Sequence, residues 1–159
     1  MKVSRLFGKT VKKAPVDIQI ASHKFLYQGG FIRELVAGRY EFLPLGFLVW
    51  EKVLRIIDEE MKKIEAQRVL TPTLHPIEIW KETKRDQAYG SALMRVKDRR
   101  GAEFAIGATA EGIFVDLVRK FKPSYKDLPI YLYQFSDKFR DEVRARGGLL
   151  RVREFTMKD

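Results

Sequence analysis

The sequence predicts an α+β domain in which antiparallel strands are flanked by helices. Three observations carry that expectation. Two short apolar runs, Pro129 to Phe135 and Leu149 to Phe155, flank charged residues and the Gly147-Gly148 pair, the pattern of an antiparallel hairpin with a flexible tip. A second hairpin is expected from Leu93 to Asp98 and Glu103 to Ile106, turning at Arg99-Arg100-Gly101. From Phe47 to Ala66 the apolar residues Trp50, Val53, Leu54, Ile57, Met61 and Ile64 fall at helical spacing, opposite Glu51, Arg55, Asp58, Glu59 and Lys62. The order of these segments predicts an antiparallel sheet packed by the 47–66 helix, with the 130–157 hairpin at its centre.

The remaining elements follow in chain order. Ile18 to Gln28 reads as a helix stopped by Gly29-Gly30, because glycine supplies the left-handed conformation at a helix end. Phe31 to Val36 is ambiguous. Arg39 to Leu43 is short and apolar-aromatic enough for a strand, which Pro44 and Gly46 end. Val69-Leu70 reads as a strand cut short by Pro72, Ile77 to Thr83 as a brief helix, and Ala110 to Phe121 as the last helix, with Ile113, Phe114, Leu117, Val118 and Phe121 as its stripe. No internal repeat, low-complexity tract or linker interrupts the chain.

Composition sets bounds without naming a function. A chain of 159 residues with 45% hydrophobic content can build one core of ordinary domain size. The formal net charge of +10 attracts polyanions, whether nucleic acid, nucleotide or an acidic membrane surface. With no cysteine, disulfides, thiolate metal sites and a Cys nucleophile are excluded. Met1 to Lys13 lacks the apolar stretch of a secretory signal, and no run approaches membrane-spanning length. A cytoplasmic location is expected. His23 and His75 lack metal-ligand spacing and are read as structural or surface residues; no metal ligand is assigned.

Two constellations carry chemistry. The C-terminal hairpin holds five arginines, Arg140, Arg144, Arg146, Arg151 and Arg153, and each guanidinium presents a rigid fork that matches phosphate oxygens. Phe155 offers an aromatic face for a base. The alternative is a salt-bridged surface hairpin, since Asp141, Glu142 and Glu154 can pair with those arginines. In Thr109-Ala110-Glu111, Thr109 is placed to cap a helix and Glu111 to sit in its first turn, where the macrodipole favours negative charge. The same oxygens could accept from a ligand.

Longer strings point to a family. Arg140-Asp141-Glu142, a basic loop, and Arg151 to Arg153 before Phe155 resemble motif 2 of the class II aminoacyl-tRNA synthetases. Gly38-Arg39-Tyr40-Glu41-Phe42-Leu43-Pro44-Leu45-Gly46, the long helix, and Val69-Leu70-Thr71-Pro72 are similar to motif 1. Tyr89-Gly90, Leu93, Arg95, Lys97-Asp98-Arg99, Gly101, Phe104 and Gly107 to Glu111 resemble the prolyl-tRNA synthetases of bacterial type. Ser22-His23, Gly30 to Arg33 and Tyr125 to Pro129 fit the same family, so the resemblance runs the length of the chain.

That resemblance implies an ATP-dependent proline-tRNA ligase. It implies that Arg140 bridges the α-phosphate and the amino acid carboxylate and is the catalytic residue. Glu142 would orient the nucleotide near adenine, Arg151 grip the triphosphate and Phe155 stack on the base. Thr109 and Glu111 would receive the ammonium of proline, with Arg140 completing the proline site. The tip, Val143 to Leu149, would lie near the acceptor end of tRNA(Pro). The resemblance also implies Mg²⁺, with no ligand assignable, and a homodimer formed through Phe47 to Pro72. It divides the chain into motif 1 (about 38–72), the Thr-x-Glu segment (109–111) and motif 2 (about 130–157) of one catalytic domain. Motif 3, an editing insertion and an anticodon-binding domain find no counterpart, so the chain is expected to be the N-terminal part of a longer synthetase. The family's usual Gly-Pro-Thr-His-Glu-Glu is here Gly107-Ala108-Thr109-Ala110-Glu111-Gly112. Alternatives are a non-catalytic tRNA-binding or regulatory paralogue, and a related synthetase for another amino acid.

Overall fold

The computed structural model describes residues 2–159. Its elements in chain order are α1 (Ala21–Gln28), β1 (Ile32–Val36), β2 (Arg39–Phe42), α2 (Pro44–Lys63), β3 (Gln67–Arg68), β4 (Leu74–Pro76), α3 (Ile77–Glu82), α4 (Arg85–Tyr89), β5 (Arg95–Lys97), β6 (Glu103–Ile106), α5 (Glu111–Phe121), β7 (Leu132–Tyr133), β8 (Phe135–Phe139) and β9 (Glu154–Lys158). They fall into two compact units. One comprises the chain to Asp58 with Arg144–Arg153, the other Glu59–Val143 with Glu154–Asp159.

In the first unit α1 ends where expected, with Gly30 at φ +71°. The ambiguous segment after it is a strand: β1 pairs antiparallel with β2, Ile32 opposite Phe42 and Glu34 opposite Tyr40. Pro44, expected only to end a strand, also opens α2, at a first-turn position where its missing N–H has no intrahelical partner to lose. Gly46 is required there, because a Cβ would run into the Phe31 carbonyl oxygen. The 144–153 segment returns to the β1–β2 turn, Arg153 donating from its backbone N–H to Gly38 (2.8 Å) and from its guanidinium to Ala37 (3.1 Å). His23 is buried in this unit, edge-on to Tyr40 at 5.5 Å.

The stripe on α2 departs from expectation. It is expected chiefly as a core face, yet none of its residues is fully buried: Val53 and Ile64 are 50% and 51% exposed, and Trp50, Leu54, Ile57 and Met61 are half-buried. Helical periodicity shows that a face is apolar, not what covers it.

In the second unit β4, β6 and β5 form a three-stranded antiparallel sheet in that order, and β8 pairs antiparallel with β9. The two-residue β3 and β7 pair in parallel. The antiparallel ladders are thus spread over short sheets rather than joined in one sheet centred on the C-terminal hairpin. A backbone bond from Phe139 N–H to the Gly107 carbonyl (3.1 Å) links β8 to the end of β6. The core contains Ile77, Trp80, Leu93, Ala105 and Ala108, with Tyr89 edge-on to Trp80 at 5.4 Å.

The hairpin strands lie downstream of their expected positions: Phe135 pairs with Lys158 and Phe139 with Glu154. Apolar runs end at Phe135, but the ladder continues through Ser136, Asp137 and Lys138. Lys138 is an inward-facing residue, buried against Asp159. β3 lies at 67–68 rather than 69–70, and β4 and α4 had no counterpart in the sequence reading.

Candidate active site

The second unit brings four of the six expected site residues together around the segment 107–111. Gly107 donates its N–H to the Thr73 carbonyl (2.8 Å), which extends the β4–β6 ladder by one residue. Ala108 and Ala110 have no exposed surface, and Thr109 is buried. Only small side chains fit at 108 and 110 in this packing. Arg140, just past the end of β8, donates from both Nε (3.2 Å) and Nη2 (3.1 Å) to the Ala108 carbonyl. Its guanidinium carbon also stands 5.2 Å from the centroid of Phe155, within cation–π range. A bidentate anchor therefore holds the segment where the family pattern has proline.

Thr109 does not cap α5. The N-cap is Ala110, which makes no side-chain cap bond; its backbone N–H instead donates to Oδ1 of Asp159 at 2.9 Å. A carboxylate from beyond β9 thus occupies the positive end of the helix, as the macrodipole favours. The Thr109 hydroxyl lies 2.7 Å from Glu111 Oε2 and 3.0 Å from Asp159 Oδ1, and its one proton can serve either.

Glu111 is more than a first-turn charge. Arg85 donates to its Oε2 at 2.6 Å, and the Arg85 guanidinium also packs near the Trp80 and Tyr89 rings. Burial pushes the Glu111 carboxyl up, but the hydrogen bonds from Arg85 and Thr109 and the Arg85 charge outweigh it, so the group titrates below the ordinary glutamate range. The carboxylate is ionised and oriented at neutral pH. A small cavity beside it is lined by His75, Ile79, Trp80, Thr83, Arg85, Thr109, Gly112 and Ile113.

Glu142 follows in the same unit, its backbone N–H donating to the Arg140 carbonyl at 2.8 Å. Arg151 belongs to the first unit, where its backbone pairs with Arg146 in an isolated antiparallel bridge. Among the described residues no group of three or more His, Asp or Glu is placed to hold a metal ion, so no residue is assigned to Mg²⁺ and no step is derived through it.

Three participants escaped the sequence reading. Arg85 follows Lys84 in a charged turn with nothing to set it apart. Lys138 and Asp159 could have been found only from register: alternation puts Ser136 and Lys138 on one face of β8, and Gln134, just before it, exchanges backbone bonds with Asp159 (3.3 and 3.1 Å).

Comparison with known proteins follows this geometry. The family model described as tRNA synthetase class II core domain (G, H, P, S and T) matches residues 94–159. Over all 159 residues the chain is 48% identical to a proline–tRNA ligase of Thermotoga maritima, 53% to one of Sulfurihydrogenibium and 52% to one of Bacillus cytotoxicus. Over its whole length the chain is thus similar to bacterial prolyl-tRNA synthetases. It spans 28% of the length of these relatives. Among solved structures it matches a Giardia lamblia prolyl-tRNA synthetase in complex with prolyl-adenylate, with a TM-score of 0.72 and 27% identity over 79% of this chain and 27% of that one. A crystal structure of the RNA binding domain of threonyl-tRNA synthetase from Cryptosporidium parvum matches equally, with a TM-score of 0.73 and 26% identity over 79% of this chain and 32% of that one. The shared fold therefore does not choose the amino acid, and the likeness to prolyl rather than threonyl enzymes rests on the sequence identities.

Proposed function

We propose that the protein to which this chain belongs is an ATP-dependent proline–tRNA ligase, and that residues 107–111, Arg140 and Phe155 form its activation site. One observation carries this reading: Arg140 holds the Ala108 carbonyl while standing over Phe155, so a single guanidinium links the Thr109–Glu111 segment to an aromatic face. Proline would place its secondary ammonium against Thr109 Oγ1 and the ionised Glu111, and adenine would stack on Phe155. Arg140 then lies between the amino acid carboxylate and the α-phosphate. A carboxylate oxygen attacks the α-phosphorus, the bond to the bridging oxygen of the β-phosphate breaks, and pyrophosphate leaves. The tRNA 3′-terminal hydroxyl subsequently attacks the prolyl carbonyl and releases AMP. The carboxylate needs no general base, so catalysis rests on positioning and on neutralising phosphate charge.

Residues 38–72 correspond on this reading to motif 1 and 130–157 to motif 2, with Glu142 toward adenine and Arg151 toward the triphosphate. The exposed apolar stripe of α2 serves as a homodimer surface, and the enzyme works in the cytoplasm. Among the described residues no helix is long and apolar enough to cross a membrane.

Proline-dependent pyrophosphate exchange by the full-length protein tests the site. Arg140→Ala is expected to cost roughly 3 kcal/mol, about a hundredfold in rate, and Arg140→Lys to fail substantially because an ammonium cannot reproduce the fork. Exchange within a few-fold of wild type would remove Arg140 from the site. Glu111→Gln should raise the proline KM about tenfold and leave the ATP KM nearly unmoved, as loss of a charge-assisted bond worth roughly 1.5–3 kcal/mol requires. An exposed Arg85–Glu111 ion pair without a ligand role would instead cost at most about 1 kcal/mol of stability and no affinity for proline.

A further inference from the structure

The most deeply buried charges in the second unit lie behind the site, on residues to which the activation chemistry assigns nothing. Lys138 Nζ stands 2.8 Å from Asp159 Oδ2, and the two side chains are 3% and 1% exposed. Lys138 also donates to Ser136 Oγ at 2.6 Å. The other carboxylate oxygen of Asp159 faces the segment 109–111, accepting from Ala110 N–H and standing 3.0 Å from Thr109 Oγ1. A buried ion pair is a poor source of stability by itself, since desolvation offsets much of the attraction. Here one of its oxygens is directed at the hydroxyl next to Glu111.

We infer that Asp159, held by Lys138, is a positioning residue that accepts the hydrogen bond of the Thr109 hydroxyl when a cationic amino acid ligand binds. Without ligand the shorter contact is to Glu111, and a Thr109 proton directed there occupies the Oε2 atom an ammonium would use. Rotation of the hydroxyl toward Asp159 frees one lone pair of that oxygen, which Arg85 continues to share at 2.6 Å, and turns a Thr109 lone pair toward the same ammonium. No bond to carbon or phosphorus changes and no proton leaves Thr109; one hydrogen bond is exchanged for another. The contact to Ala110 N–H keeps the backbone of the segment still while the hydroxyl turns. Lys138 fixes the carboxylate rotamer from the opposite side, so the acceptor is in place before ligand arrives.

This inference rests on the proline-activation reading, and its test separates the two. In pyrophosphate exchange by the full-length protein, Asp159→Asn is expected to raise the proline KM roughly tenfold and the ATP KM less than about threefold. Thr109→Val should raise the proline KM comparably. The two changes act through one hydroxyl, so the double variant should be no more than about threefold worse than Thr109→Val alone. Effects that multiply to about a hundredfold, equal damage to both substrates, or a proline KM within about twofold of wild type would each overturn the role of Asp159. Should Asp159→Asn fail to fold because Lys138 is left as an unpaired buried charge, Lys138→Met/Asp159→Asn removes both charges and is held to the same thresholds. Wild-type protein that shows no proline-dependent exchange would overturn the activation reading and this role with it. Normal wild-type exchange alongside unaffected variants would overturn the role of Asp159 alone.

Discussion

His75 shows how a residue with no part in the chemistry can still govern the site. Its side chain is 1% exposed, it stacks on Trp80 at 5.9 Å, and its Nε2 lies 3.0 Å from the Pro72 carbonyl, which only a protonated nitrogen can satisfy. Burial pushes its pKa down, helped by the Lys138 charge and opposed by the Pro72 bond and Asp159, to about 4 from 6.5. The folded state thus resists a proton that the unfolded chain accepts. The stability this contributes is fully present above about pH 6.5 and is lost as pH falls through about 4, on the order of 3 kcal/mol in all. His75→Gln keeps a donor for Pro72 and removes the titration. Between pH 7 and 4.5 the thermal midpoint of wild type should fall further than that of the variant, and parallel curves would show that His75 does not titrate on unfolding. In the candidate site, Thr109, Glu111, Arg140 and Phe155 were singled out from the sequence because they lie in strings that resemble a known family. His75, Arg85, Lys138 and Asp159 were not, because each acts through a partner distant in sequence that only the fold supplies.

At the scale of elements, legibility followed the strength of the local signal. α2 and α5 were placed to within three residues by their periodicity, and the β5–β6 hairpin to within two by Gly101, where Asp98 Oδ1 accepts from the N–H of Arg100 (2.8 Å) and Ala102 (2.9 Å). β8 was misplaced because its inward face carries Lys138, paired with Asp159 just past β9, and an apolar pattern reads a charge there as the end of a strand. α2 exposes the opposite difficulty: its pattern was read correctly and its environment was not. Val49, Val53 and Ile56, at spacings of four and three that share one side of the helix, are 49%, 50% and 58% exposed. Such a face needs a cover. If a second copy supplies it, Val53→Glu/Ile56→Glu in the full-length protein should shift sedimentation from dimer to monomer by burying charge in an apolar interface. A variant that sediments with wild type would assign this face to some other covering.

For the whole molecule, charge was the most readable property and the least specific. The +10 balance says only that polyanions are attracted, and the same number would suit many proteins. What sharpens it is distribution: Arg144, Arg146, Arg151 and Arg153 all lie in the ten-residue return segment of the first unit, and Arg144 and Arg146 are exposed. If this segment meets the acceptor end of tRNA through phosphates, affinity for an acceptor-stem RNA should fall steeply and linearly with the logarithm of salt concentration. Each phosphate contact contributes roughly 0.7 to the slope on single strands and about 0.9 on a duplex of the B form. Arg144→Gln/Arg146→Gln should therefore flatten the slope by about 1.5 while weakening all acceptor sequences alike. If the two arginines read base edges, affinity would instead drop for one sequence and not for others, with a smaller change in slope. Binding curves from 50 to about 300 mM salt on two acceptor sequences separate these outcomes, and wild-type affinity and slope in the double variant would remove both residues from the RNA surface.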